Sequence, residues 1–286
     1  MINTNDKKIR IFMLVTIATI TILVGILSGC LGNQENSEIQ ILVIDGSTTV
    51  FPIIQAEAEK YMDHHIDVDI QVTGTGSSNG ISAAGSGKVD IGMSSREIKS
   101  SELATHPDLV NTTIAIDCIA IIVNPANPVS NLSITQVKAI YNGTIASWSE
   151  LGGSGDIVLV GRDSASGTRE YFYEHVMGKE NTSTNMLEKN SNGLVHDTVA
   201  GNRYAIGYVG LGYVTSQVKG IKLQNSQGNY IAPSIQSVKD GTYPVWRYLY
   251  LYTKGPATGL SNEFIDFILS EEGQQIVQNE GFVPLS

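Results

Sequence analysis

Three turns rich in glycine and small hydroxyl residues punctuate this chain: Gly46-Ser47-Thr48-Thr49-Val50-Phe51-Pro52, Gly74-Thr75-Gly76-Ser77-Ser78-Asn79-Gly80 and Ser164-Ala165-Ser166-Gly167-Thr168-Arg169. Each follows an apolar run of strand length and each reads into a helix start. The runs at 39–45, 68–73, 89–93, 157–161 and 205–209 are short and β-branched, as strands are. Helical patterns lie between them. Residues 52–62 place Ile53, Ile54, Ala58, Tyr61 and Met62 on a helical period, and Ser133-Ile134-Thr135-Gln136 is a capping box opening a helix to Tyr141. Phe264, Ile265, Ile268 and Leu269 form one apolar stripe near the end. Strands alternating with helices predict α/β layers. Small residues at a helix N-terminus leave backbone N–H groups free, and the helix dipole favours negative charge there. Three such turns suggest a tetrahedral oxyanion held by hydrogen bonds.

The chain opens with Lys7, Lys8 and Arg10, runs on through an apolar stretch at 11–27 and closes it with Ser28-Gly29-Cys30. That order predicts an export signal over residues 1–29. Leu27-Ser28-Gly29-Cys30 resembles a lipobox, in which Cys30 is lipidated after cleavage; an uncleaved membrane anchor is the competing reading. Either one ties the folded part to the outer face of the cytoplasmic membrane, with 30–38 as a polar tether. Cys118 is then the one cysteine besides Cys30, so it is expected to be a buried, inert thiol rather than half of a disulfide. Loss of the leader takes the formal charge from −10 to −12, because residues 1–29 hold Asp6, Lys7, Lys8 and Arg10. So acidic a chain argues against nucleic acid or anionic lipid as a partner. An anion would have to be captured by local donors.

Two long apolar stretches, 112–123 and 243–252, are suited to run as extended connectors. If they cross between lobes, the result is a two-lobed body with a cleft and paired hinge strands. The lobes expected are 39–117 with 248–286, and 118–247.

Arg162 through Arg169 carries the sharpest chemistry. A guanidinium can grip two oxygens of a tetrahedral anion, Ser166 and Thr168 add hydroxyl donors, and Gly167 lets backbone approach closely. An ordinary turn with a capping serine is the plainer alternative. Thr48 and Thr49 before Pro52 read as another cap. Gly76-Ser77-Ser78-Asn79-Gly80 also matches G-x-S-x-G, which keeps open a serine hydrolase using Ser78 with His106, His175 or His196. Gly85-Ser86-Gly87-Lys88-Val89 lacks the spacing of a nucleotide-binding loop. His64-His65 reads as a solvated helix end, no metal or other cofactor is indicated, and Trp246, Tyr248, Tyr250 and Tyr252 read as a strand packed into a core. Asn111, Asn131, Asn142 and Asn181 begin glycosylation sequons.

The three turns, with Asp90-Ile91-Gly92-Met93-Ser94-Ser95-Arg96-Glu97, Tyr141-Asn142-Gly143, Trp148 through Gly153, Ala205 through Gly210 and Glu280 through Leu285, resemble the phosphate-binding proteins of phosphate ABC importers. The likeness spans nearly all of residues 40–286. It implies an α/β type II periplasmic-binding-protein fold that holds phosphate in its cleft, performs no chemistry and works with membrane permease and ATPase subunits. It also implies the ligands Thr48, Thr49, Val50, Ser77, Arg162, Ser166, Gly167 and Thr168, with Val50 and Gly167 contributing backbone N–H. Where many members of the family carry an aspartate, this chain has Ser95. A serine hydroxyl both donates and accepts, so weaker rejection of fully deprotonated oxyanions, or a tilt toward the dibasic form of phosphate, is expected, with Arg96 assisting. A receptor for sulfate, molybdate or tungstate is the nearest alternative.

Overall fold

The computed structural model describes residues 39–285. The leader, Cys30 and the whole of the tether lie outside the described residues. The chain begins with β1 (Gln40–Gly46), α1 (Phe51–His64), β2 (Val68–Thr73), α2 (Ser77–Gly85), β3 (Ile91–Ser94), α3 (Ser100–Thr105) and β4 (Leu109–Val123). It continues through β5 (Asn131–Leu132), α4 (Ile134–Tyr141), β6 (Val158–Arg162), α5 (Gly167–His175), β7 (Leu187–Lys189), α6 (Asn192–Ala200) and β8 (Ala205–Gly210). Three short strands, β9 (Lys219–Gly220), β10 (Lys222–Gln224) and β11 (Tyr230–Ile231), precede α7 (Ile235–Lys239); β12 (Trp246–Lys254), α8 (Gly259–Leu269) and α9 (Glu271–Asn279) close the chain.

Nine strands make one sheet in the order β2-β1-β3-β12-β4-β8-β6-β7, with β9 also on β4. β4 holds it together. From Leu109 to Cys118 it lies antiparallel to β12, and from Ile119 to Val123 it pairs with β8 instead. The stretches expected to be connectors therefore run side by side, and β4 hands over from one partner to the next at Cys118. Separate cores lie on the two sides of that point. One contains Leu42, Ile44, Ile54, Met93, Leu249 and Phe264; the other contains Cys118, Ile121, Tyr141, Trp148, Phe172 and Tyr208. Beyond Cys118, Ile119, Ile121 and Val123 join the second core while Ala120 and Ile122 join a cluster with Val160, Val195 and Val209. Alternate residues of a strand point to opposite faces, so this half of β4 is covered on both. That double burial explains an apolar run without polar alternation.

The predicted capping box forms at α4, where Ser133 Oγ accepts the Gln136 N–H at 3.1 Å and Gln136 Oε1 accepts the Ser133 N–H at 2.9 Å. Cys118 is a buried free thiol. The aromatic strand departs from expectation: Tyr250 and Tyr252 are buried, but Trp246 is 39% and Tyr248 41% exposed. β3 flanks β12 only at Tyr250–Tyr252. Those two tyrosines pack with Ile81 and Ala84 of α2, and the earlier part of β12 runs past that cover. Among the described residues no helix is long and apolar enough to cross a membrane.

α1 turns Ile53, Ile54, Ala58 and Tyr61 inward, and Glu57 with them. Both Glu57 carboxyl oxygens are buried without a hydrogen-bond partner, and burial, reinforced by Glu272, pushes the pKa up to about 9. The folded chain thus holds this proton where the unfolded chain, titrating near 4.5, has released it. Stability from Glu57 is full below that lower value and is lost as pH climbs toward the upper one. Glu57→Gln is expected to match the native protein in thermal unfolding at pH 5 and to exceed it by about 1–3 kcal/mol at pH 8.

Candidate functional site

The three turns converge. At the end of β1, Gly46 has φ 139°, and a Cβ there would lie 2.2 Å from the Met93 carbonyl oxygen, so only glycine lets β1 turn this close to β3. Ser47 Oγ then accepts the N–H groups of Thr49 and Val50 at 3.2 and 3.4 Å. The N-cap of α1 falls on Val50, which gives no side-chain cap. Thr48 and Thr49 are therefore not the caps they were expected to be, because Ser47 already serves that turn. Their hydroxyls face other elements instead. Thr49 Oγ1 lies 2.9 Å from Thr168 Oγ1 on α5, and Asn192 Nδ2 of α6 donates to Thr48 Oγ1 and to Thr49 Oγ1, both at 3.0 Å.

In the second turn Gly76 is the N-cap and Ser77 the first residue of α2. Ser77 Oγ accepts the Ser95 N–H at 3.1 Å and lies 3.3 Å from Ser95 Oγ. In the third, Ser166 caps α5 by accepting the Arg169 N–H at 3.2 Å. Gly167 and Thr168 follow as the first helical residues, whose N–H groups have no acceptor within the helix. A Cβ on Gly167 would stand 2.3 Å from Ser77 Oγ and 2.8 Å from Ser95 Oγ, so the second and third turns touch only because residue 167 lacks one. Ser78 N–H donates to Ala165 O at 3.1 Å across the same contact. Thr48, Thr49, Val50, Ser77, Ser95, Arg162, Ser166 and Thr168 are all buried. The Val50 N–H is already engaged by Ser47.

Arg162 ends β6 and is 1% exposed. Its Nε and Nη2 donate to the carbonyls of Lys189 and Asn190 at 3.1 and 3.0 Å, which fixes the plane of the guanidinium. Burial pulls its pKa down to about 10, and nearby Arg247 adds to the fall, yet the group stays cationic at neutral pH. Arg96 does not assist Ser95 as expected. Its Nη1 and Nη2 hold Glu102 at 2.8 and 2.6 Å, and Nη2 also donates to Ser78 Oγ at 3.0 Å. A carboxylate in fork geometry outcompetes a neutral hydroxyl for the guanidinium. With Ser78 engaged in that way, His196 bonded to Asp197 and Thr215, and His175 stacked on Tyr171, the hydrolase reading finds no nucleophile and base paired among the described residues. Nor do the described residues hold a cluster of three metal-ligating side chains.

Four residues at this site were not singled out in the sequence. Arg247 on β12 stands in register with Asp117 on β4. Asp117 Oδ2 accepts from Arg247 Nε and Nη2 at 3.1 and 2.8 Å, and Asp117 Oδ1 accepts the Leu211 N–H at 2.8 Å. Burial pushes the Asp117 pKa up against the pull of these partners. Arg247 Nη2 also donates to Thr168 Oγ1 at 3.0 Å and Thr49 Oγ1 at 3.3 Å. Asn192 joins the two threonines as described, and Tyr213 OH donates to Thr48 O at 2.6 Å. The available signal was one charge of each sign inside the two apolar connector strands. Beyond Arg247 a groove of 660 Å³ opens between Tyr171, Trp246 and Tyr248, sharing only that arginine with the cluster.

A mixed sheet divided between two cores, with hydroxyls and helix starts from both sides meeting at a buried point, defines a two-lobed solute-binding protein of the type II periplasmic kind. A family model for the PBP superfamily domain matches residues 32–272. The phosphate-binding protein PstS of Bacillus subtilis is 36% identical over 86% of this chain and 81% of its own length. A Clostridium perfringens protein, described as a phosphate ABC transporter substrate-binding protein and solved with bound phosphate, superposes with a TM-score of 0.81 at 38% identity, over 86% of this chain and 100% of that one. An ABC-type phosphate transport receptor from Vibrio cholerae superposes at 0.69 with 33% identity, over 85% and 99%. The chain belongs to the PBP superfamily, in the family of the phosphate-binding proteins of phosphate ABC transporters.

Removing one member of a buried ion pair strands the other. Arg247→Ala is expected to cost about 3–5 kcal/mol in urea unfolding, whereas Asp117→Asn/Arg247→Gln should recover most of that loss.

Proposed function

We propose that this protein captures inorganic phosphate outside the cytoplasmic membrane and delivers it to an ABC importer, with Thr48, Thr49, Ser77, Ser95, Arg162, Ser166, Gly167 and Thr168 as the ligand shell. The observation that carries the reading is the meeting of three turns from distant parts of the chain, with hydroxyls and helix-start N–H groups crowded into one buried point. The names of the relatives point to the same ligand. Energetically a small shell suffices. Each hydrogen bond to a charged group contributes about 1.5–3 kcal/mol, and micromolar affinity needs about 8 kcal/mol net. In this reading the ligand is bound and released unchanged.

The lobes in this proposal are residues 39–117 with 248–286, and 118–247, joined by β4 and β12. The division of the core near Cys118 supports those limits. Closure brings Thr48, Thr49, Ser77 and Ser95 against Arg162, Ser166 and Thr168, coupling capture to a shape that permease and ATPase subunits can read. A lipid on Cys30, outside the described residues, would keep the receptor beside its transporter.

Isothermal titration with phosphate tests the assignment. Arg162→Ala is expected to lower affinity by at least about tenfold, or 1.4 kcal/mol; an unchanged value would place the ligand elsewhere. Ser95 gives a second test, because a carboxylate at that position would repel an oxyanion that brings no proton. Sulfate is therefore expected to compete with phosphate in the native protein, and Ser95→Asp to weaken sulfate relative to phosphate by about tenfold. Firm rejection of sulfate by the native protein at every pH from 5 to 9 would remove Ser95 from the selectivity.

A further inference from the structure

Arg247 carries hydrogens that the contacts around it do not use. A guanidinium is planar, and its N–H bonds leave it along two edges, one shared by Nε and Nη2 and the other by Nη2 and Nη1. Asp117 Oδ2 occupies the first edge, accepting from Nε at 3.1 Å and from Nη2 at 2.8 Å. The remaining Nη2 hydrogen therefore lies on the second edge, where it faces Thr168 Oγ1 at 3.0 Å and Thr49 Oγ1 at 3.3 Å. Planarity then fixes Nη1, one of whose hydrogens runs parallel to that one, toward the same cluster. Yet Nη1 is buried without a hydrogen-bond partner among the described residues, in a residue that is 3% exposed. Tyr171 does not supply the acceptor. Arg247 Cζ stands over the Tyr171 ring at 5.9 Å from its centre, the range of a cation–π contact rather than of a hydrogen bond. A second observation points the same way. The Arg162 pKa falls mainly through burial, but the charge of Arg247 adds to the fall, so the two guanidinium groups stand close enough to repel one another. An anion beside both relieves that repulsion and meets a buried donor that is costly to leave unpaired.

We propose that Arg247 is a second guanidinium of the phosphate shell, with Nη1 donating to an oxygen of the ligand while Nη2 stays on Thr49 and Thr168. The proposal rests on the phosphate reading of the site and adds a ligand to it. Arg162 enters the shell from the end of β6, and Arg247 enters it from β12, one of the two strands that run between the cores. The two cations act differently. Asp117 balances the charge of Arg247 and holds its plane, so this residue offers the anion a directed donor without adding net charge to the site.

Arg247→Lys tests the assignment, because an ammonium is a single point charge where a guanidinium has two edges. The substituted side chain keeps a cation beside Asp117 but cannot serve the carboxylate and an anion in the native geometry. In isothermal titration with inorganic phosphate, this variant is expected to bind at least about tenfold more weakly than the native protein, with thermal unfolding showing that it is folded. A crystal structure of the native protein with phosphate supplies the readout that a purely structural role would not move: Nη1 is expected within about 2.7–3.2 Å of a phosphate oxygen. That measurement needs no variant, so it stands if Arg247→Lys fails to fold. A folded variant that loses less than about tenfold in affinity, or a phosphate-bound structure with Nη1 turned away from the anion, would overturn the role of Arg247 as a ligand. A native protein that binds no phosphate would instead overturn the reading of the site on which that role rests.

Discussion

The buried pair of Asp117 and Arg247 is the interaction on which the rest of this site depends. It joins the two strands that run between the cores, β4 and β12, at the point where β4 changes partners. A buried ion pair gains little over a well-packed apolar pair in stability, since the cost of stripping water from both charges offsets most of their attraction. Its value here is geometric. Held flat by a carboxylate with its second oxygen tied to the Leu211 amide, the guanidinium reaches Thr49 and Thr168 through Nη2 and leaves Nη1 buried without a partner among the described residues. The same contact that aligns the strands thereby fixes hydroxyls contributed by α5 and by the turn before α1.

Such an arrangement resolves an apparent conflict of charge. The chain carries a formal net charge of −10, and a uniform acidic surface would repel an anion. Over the short distances of a buried site, however, aimed donors outweigh a diffuse field that solvent and salt screen. Arg162 supplies a cation desolvated by its surroundings yet still charged, with its plane set by the carbonyls of Lys189 and Asn190. The starts of α2 and α5 supply backbone N–H groups in fixed directions. Preset donors have little freedom to lose when the ligand arrives.

Much of this was legible in residue order. Alternating β-branched runs and amphipathic segments gave the α/β layers, because strand and helix periods leave different apolar patterns. Gly167 marked a place where the backbone must approach another group closely, and the structure puts the Ser77 hydroxyl there. The local reading failed where a residue had several possible partners. Arg96 was read toward Ser95 but found Glu102, and Thr48 and Thr49 were read as caps in a turn that Ser47 already satisfied. Trp246 and Tyr248 were read as core, since strand alternation says which side chains share a face but not whether anything covers it.

Sequence alone determined the kind of chemistry present: hydroxyls, glycines and an arginine at helix starts, without a metal cluster or a nucleotide loop in its pattern. It also determined the family, since several motifs in order are specific where each one singly is not. Tertiary structure decided which of those groups meet. Asp117, Asn192 and Arg247 lie far apart along the chain, and a hydrogen bond between distant residues depends on the register of β4 with β12 and the seating of α6. No local pattern encodes that register, because it is set by long-range packing of both cores.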